Sequence, residues 1–102
     1  MTDMIQFYGH AAFHLVLDED HILIDPYLKG NPDAPVKPGS VEATHIVVTH
    51  GHGDHVGDTL EIAKRTNALV ISNAEICDYF EAKGLRVHGM HLGGLLSNRD
   101  CL

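Results

Sequence analysis

Cationic side chains are scarce in this 102-residue chain. Seven Lys and Arg stand against fourteen Asp and Glu, a formal net charge of −7. Such a balance excludes a broad phosphate-binding face for DNA or RNA, and docking on an anionic membrane surface. Cysteine is scarce too: Cys77 and Cys101 are the only two. They make no disulfide framework and read as free thiols in a reducing cytoplasm. No apolar run approaches the ~18–20 residues that a membrane span needs. The start, Met1-Thr2-Asp3-Met4-Ile5, has neither a basic n-region nor an apolar h-region, so no signal peptide is expected. Internal repeats and low-complexity segments are also missing.

What is present is ordinary for a globular domain. Hydrophobic residues make up 44% and charged residues 21%, which excludes disorder, collagen and coiled coil. The length suits one domain or a piece of a larger one, with about two-thirds of its surface buriable. Ile5 to Tyr8 reads as a first strand ended by Gly9. Ala12 to Leu17 and His21 to Asp25 read as a hairpin around Asp18-Glu19-Asp20, stopped by Pro26. Three of the four prolines, with Gly30, Asn31 and Gly39, mark Lys29 to Ser40 as a surface loop. Too little chain precedes it for a separate domain, so it is expected over or beside a site.

Beyond the loop the pattern changes. His45 to Thr49 is a nearly continuous apolar run, as expected of a strand buried on both faces. A Gly- and His-rich turn follows, Gly51 to Gly57. Asp58 with Glu61 predicts a capping box for a helix that Asn67 closes. Ala68 to Ile71 is a buried strand. Ser72 with Glu75 predicts a second capping box, with Ile76, Tyr79, Phe80 and Lys83 at helical spacing and Gly84 at the C′ position. Leu85 to His88 closes the series. The order β-β-β, then β-α-β-α-β, predicts an α/β (α+β mixed) fold: a parallel sheet carrying helices, with an antiparallel hairpin at the front.

Nine histidines are present, and three of them fall within six positions. Thr49-His50-Gly51-His52-Gly53-Asp54-His55 lies just past the carboxyl end of a predicted buried strand, where sites of α/β sheets gather. His50 and His52 are two apart, so an extended segment points both side chains the same way. Asp54 and His55 follow a glycine turn and converge from another direction. Four N and O donors in six residues suit Zn²⁺, Mn²⁺ or Fe²⁺. Two ions about 3.5–4 Å apart fit two adjacent donor pairs better than one ion does, and would share an activated water fit for hydrolysis. The bland alternative is a solvated His-rich turn, with Asp54 merely at the start of a helix.

These residues resemble the H-x-H-x-D-H signature of the metallo-β-lactamase superfamily. Gly9-His10, Ile22-Leu23-Ile24-Asp25-Pro26, Gly30-Asn31-Pro32 and Met90-His91-Leu92-Gly93-Gly94 resemble its small UlaG-like branch, metal-dependent hydrolases with the UPF0173 label. The resemblance runs from about Met4 to Gly94. It implies an αββα sandwich, of which residues 1–94 are the N-terminal half and 95–102 a tail that does not match. It implies that His50 and His52 ligate a first metal, and Asp54 and His55 a second. Asp54 would also orient the attacking water, which makes it the catalytic residue. Asp25 would steady a ligand histidine. His10 and His91 would stand near the substrate or the metals, although His10 after Gly9 reads equally as a turn residue. His14, His21, His45 and His88 match no motif and are expected to be structural or solvated.

In the family a second half supplies further ligands, and none can be assigned here. The expectation is a truncated or frameshifted hydrolase, or a deliberately isolated half of one, of reduced or no activity. It would act on a small-molecule ester, lactone, amide or phosphodiester through a metal-activated water, with Zn²⁺ first and Mn²⁺ next. The alternative is a non-catalytic metal-binding or oligomerising remnant, in which a homo-oligomer covers the sheet face that the second half would cover. A redox role for Cys77 is disfavoured, because no partner cysteine lies nearby.

Overall fold

A computed structural model of the chain describes residues 3–31, 34, 36–49 and 56–90. Six strands form one sheet in chain order: β1 (Met4–Gly9), β2 (Ala12–Leu17), β3 (Asp20–Ile24), β4 (His45–Val47), β5 (Leu69–Ser72) and β6 (Arg86–Gly89). The first two pairings are antiparallel and the last three parallel. Two helices, α1 (Thr59–Thr66) and α2 (Ala74–Ala82), alternate with the parallel strands. This is the predicted order.

The turns follow from local chemistry. Leu17 pairs with Asp20, so only Asp18 and Glu19 span the β2–β3 hairpin, one residue fewer than expected. Asp18 sits at φ 55°, a left-handed conformation that aspartate tolerates better than most residues. Gly9 pairs with Ala12, so His10 and Ala11 form the β1–β2 turn, with Gly9 at φ 93° and His10 at φ 56°.

The core lies on one face of the sheet. Leu23, Ile46 and Val70 form a register row across β3, β4 and β5, and all three are fully buried. Ile62 of α1 and Phe80 of α2 close over this row. The apolar spacing of each helix explains the docking: Thr59, Ile62 and Ala63 face inward on α1, and Cys77 and Phe80 on α2. Each fully buried Ile or Phe contributes about 1.5–3 kcal/mol.

Both predicted capping boxes are corrected. Asp58 stands at the α1 N-cap but makes no side-chain cap, because its carboxylate is engaged elsewhere. Ser72 belongs to β5, where its hydroxyl donates to the Val48 carbonyl at 2.7 Å; Asn73 caps α2 instead, accepting the Ile76 N–H at 3.0 Å. The C-terminal signals hold. Asn67 ends α1 in the left-handed region, its N–H donating to the Ala63 carbonyl, and Gly84 follows α2 at φ 89°.

The strand buried on both faces is β5, not β4. All four residues of β5 are buried, whereas His45 and Val47 of β4 are only half-buried. The second face of the sheet opens progressively toward β1. There Ile5 pairs with Leu15, and Phe7 with Phe13, their rings 4.9 Å apart. Ile5 is 68% exposed and Phe7 57%, which makes an apolar surface without cover among the described residues. No described helix is long and apolar enough to cross a membrane.

Candidate metal centre

β1, β3, β4, β5 and β6 all run the same way, so their carboxyl ends share one edge of the sheet. His10 follows β1 there, Asp25 follows β3, Thr49 lies just past β4 and Met90 just past β6. These four described members of the sequence motifs are thus gathered at the edge where open α/β sheets bind ligands.

Asp25 is the best-defined group in this array. It is 2% exposed and sits at φ 46°. Its N–H donates to the Val47 carbonyl at 2.8 Å, which extends the β3–β4 ladder by one bond. Its Oδ1 accepts the Thr49 N–H at 2.7 Å, and its Oδ2 accepts the Thr49 hydroxyl at 2.6 Å. A buried carboxylate is costly unless hydrogen-bonded, and these bonds meet that cost. They also fix the residue immediately before His50.

A second fastening lies on the far side of the motif. Gly57 stands at φ 51°, and a Cβ there would come within 2.5 Å of the Pro26 carbonyl oxygen and 2.6 Å of the Tyr27 Cα. Only glycine permits this approach. The Asp58 N–H then donates to the Pro26 carbonyl at 2.9 Å. Oδ2 of Asp58 accepts the Leu28 and Lys29 N–H groups at 2.9 and 2.8 Å. Residues 50–55 are therefore bracketed by two anchors, and both end on the stretch 25–29.

Neighbouring groups complete the frame. The His10 ring meets the Tyr27 ring edge-on at 5.6 Å, while the Tyr27 hydroxyl donates to the Gly30 carbonyl at 2.8 Å. Buried Asn31 donates from Nδ2 to the Tyr8 carbonyl at 3.2 Å. An open hollow lies beside the Asp58 clamp, with Leu28, Lys29, Asn31, Val36, Lys37 and Glu61 on its walls. The loop from Lys29 to Ser40 is tethered over α1 by Arg65, which donates to the Pro38 and Val41 carbonyls.

His50, His52, Asp54, His55 and His91 lie outside the described residues. Among the described residues, no three His, Cys, Asp or Glu side chains come together as a metal-holding group. Of the other expected site residues, Asp25 and His10 are at the edge. The roles of Thr49, Gly57 and Asp58 as anchors were not foreseen. The positive φ and close approach at Gly57 had a signal in the glycine itself, but the partners of Thr49 and Asp58 are distant in sequence.

Elsewhere, Cys77 is buried and free. Burial, the largest influence, pushes its thiol up, opposed by hydrogen bonds with the backbone of Ser72 and His88. This disfavours the thiolate that redox chemistry needs.

The profile of the metallo-beta-lactamase superfamily matches residues 7–100. Among relatives named UPF0173 metal-dependent hydrolase, one from Heliobacterium modesticaldum is 48% identical over 90 residues and one from Archaeoglobus fulgidus 51% identical over 90 residues. Each match covers 88% of this chain and 38% of the relative. YtkL of Bacillus subtilis, named likewise, is 48% identical over 90 residues, with 88% and 40% covered. Igni18, a metallo hydrolase from the hyperthermophilic archaeon Ignicoccus hospitalis, has a similar solved structure: TM-score 0.84, 35% identity, covering 95% of this chain and 43% of that one. The chain spans about two-fifths of the length of these relatives. Taken with the mixed sheet, its helices and the anchored edge, the match over nearly the whole sequence means that the chain belongs to the metallo-beta-lactamase superfamily.

Proposed function

We propose that this chain carries a metal-binding part of a metal-dependent hydrolase, with His50, His52, Asp54 and His55 as its donors. The observation that supports this most is the double anchoring of their segment, by Asp25 at Thr49 and by Pro26 to Lys29 at Gly57 and Asp58. Three imidazoles and a carboxylate fit a divalent ion, and Zn²⁺ suits them best, with Mn²⁺ or Fe²⁺ next. Such an ion supplies an activated water for hydrolysis. The chain's own part is to present the donors, to hold Thr49 through Asp25, and to orient the attacking water through the Asp54 carboxylate. His10 and His91 are assigned to the substrate or to the surroundings of the metals, and a small ester, lactone, amide or phosphodiester is the substrate class. The free thiol of Cys77 fits a reducing compartment, and we assign the protein to the cytoplasm.

The share of its relatives that the chain spans favours a second reading beside this one. The family resemblance places further ligands outside the matched part, so the isolated chain would bind metal with little or no turnover. Its open face, with Ile5 and Phe7 the most exposed, would then be covered by the same face of a second copy. Metal analysis combined with light scattering separates the two. A complete site holds about two ions per chain and hydrolyses generic esters or phosphodiesters, with activity abolished in His52→Ala. The remnant holds one ion or fewer, runs as a dimer and shows no turnover. A metal-free protein at saturating Zn²⁺ and Mn²⁺ overturns both.

A further inference from the structure

A row of four polar side chains crosses the sheet away from the candidate metal centre. Tyr8 of β1 reaches His14 of β2, Oη to Nδ1 at 2.8 Å. Nε2 of His14 reaches Nδ1 of His21 on β3 at 3.0 Å. Nε2 of His21 faces Oε2 of Glu42, just before β4, at 3.5 Å. Exposure rises steadily along the row: 3% at Tyr8, 7% at His14, 26% at His21 and 77% at Glu42. One end is in the core and the other in water.

The chemistry of the ends sets the direction of the protons. A carboxylate only accepts, so Glu42, facing Nε2 at 3.5 Å, favours the Nε2–H form of His21. Nδ1 of His21 is then an acceptor, which selects the Nε2–H form of His14. Nδ1 of His14 is an acceptor in turn, and Tyr8 must donate to it. With both rings neutral, each of the two hydrogen bonds holds one proton, and the His21 Nε2–H faces the carboxylate.

We propose that Tyr8, His14, His21 and Glu42 form a proton-responsive clasp that anchors the Gly9–His10 turn. The 3.0 Å gap between the rings holds one hydrogen. Uptake of one proton from solvent is accommodated: His14 gains Nδ1–H, one hydrogen stays between the rings, and the Tyr8 hydroxyl turns from donor to acceptor. A second proton sets two N–H groups head to head and breaks the row. Protonation therefore belongs to the pair and not to either ring. Burial first, and His21 next, hold His14 below the ordinary imidazole range, against the opposing pull of Glu42; burial raises Tyr8, which keeps its hydroxyl protonated. The titratable groups set against His14 among the described residues are Tyr8, His21 and Glu42. Among the described residues His45 joins through Thr44, whose Oγ1 accepts the His21 backbone N–H at 2.9 Å and meets His45 Nδ1 at 2.8 Å. Tyr8 directly precedes Gly9 and His10, so the amides of that turn are where the coupling is read.

The test is a long-range ¹H–¹⁵N correlation titration of the histidine rings in the 102-residue chain, from alkaline to mildly acidic pH. At the alkaline end both His14 and His21 are expected as Nε2–H forms. On acidification the two rings should shift with one shared midpoint, and the Gly9 and Ala11 amides should follow it, also in His10→Asn, where that ring's own titration is gone. Glu42→Gln, at an exposed position, should give His21 a mixture of both neutral forms. Tyr8→Phe should uncouple the amides from the rings; if it does not fold, the wild-type and Glu42→Gln titrations decide alone. An Nδ1–H form of His14 at the alkaline end, independent midpoints, or amides that ignore the rings would overturn the clasp.

Discussion

Both carboxylate oxygens of Asp25 close on Thr49, one on its N–H and one on its hydroxyl. Each oxygen of this buried carboxylate meets the residue that directly precedes His50. Asp25→Asn turns one acceptor into a donor facing another donor. It should cost about 1–3 kcal/mol of stability and weaken metal binding by roughly 10–100-fold. Thr49→Val removes only the hydroxyl's bond and should cost about 1 kcal/mol. Urea denaturation of the metal-free protein and chelator competition of the loaded protein measure the two effects separately. Metal affinity unchanged in Asp25→Asn would mean that the grip serves the fold alone.

Gly57 and Gly84 both have positive φ but different surroundings. At Gly84 an added methyl meets nothing within 4 Å, whereas at Gly57 it collides with the Pro26 and Tyr27 backbone. Gly84→Ala should therefore cost only the backbone strain, about 1–2 kcal/mol. Gly57→Ala should cost roughly 2–5 kcal/mol, since overpacking adds to the strain. Thermal unfolding of the two variants side by side gives the comparison; equal losses would show that the close approach carries no weight.

Asp58 occupies a cap position without capping. Asp58→Ala should destabilise by about 2–4 kcal/mol, because two amide–carboxylate bonds are lost. Helix content by circular dichroism should hold below the unfolding transition. Asn73→Ala removes a true cap and should cost about 1 kcal/mol, with fraying at the start of α2. A loss of helix in Asp58→Ala as large as in Asn73→Ala would contradict the assignment.

Acid sensitivity follows from His14. Its folded pKa is held below the ordinary value, chiefly by burial, so the unfolded chain binds the proton more readily. The stability involved is intact above about pH 6.5, the unfolded value, and falls as pH drops below it toward the folded value. His14→Gln has no titration at this position and should flatten that part of the stability–pH curve. Urea midpoints at pH 8 and pH 5.5 provide the check. An equal drop in wild type and variant would assign the acid loss to other groups.

The architecture was legible because hydrophobic period and chain punctuation agree. The runs around Ile22 and Ile46 and the stretch from Leu69 to Ile71 became strands in the expected order, and Asn67 and Gly84 ended the helices as their chemistry predicts. The N-terminal caps were misread for a physical reason. Asp58 and Ser72 carry oxygens that serve capping and distant backbone equally well, and only the folded chain brings Leu28 or Val48 within reach. The same holds for His14 and His21. Seven residues apart on a hairpin, they match no motif, yet the β2–β3 and β1–β2 registers set them beside each other and beside Tyr8. At the candidate centre the proposed donors come from spacing and resemblance, and Gly57 carries a signal in being glycine, whereas the partners of Thr49, Gly57 and Asp58 come only from the fold.

One consequence of the stretch 25–29 concerns entropy. It receives the chain on both sides of residues 50–55, so the distance between the two attachment points is set within a single short peptide. The part of the closure cost that lies in bringing Thr49 and Gly57 to their places is met when the domain folds. A cation bound there, as proposed above, would be spared that loss and would keep more of its coordination energy as affinity. On that proposal, substitutions at Asp25, Pro26 or Leu28 would change metal retention while every proposed donor atom stays the same.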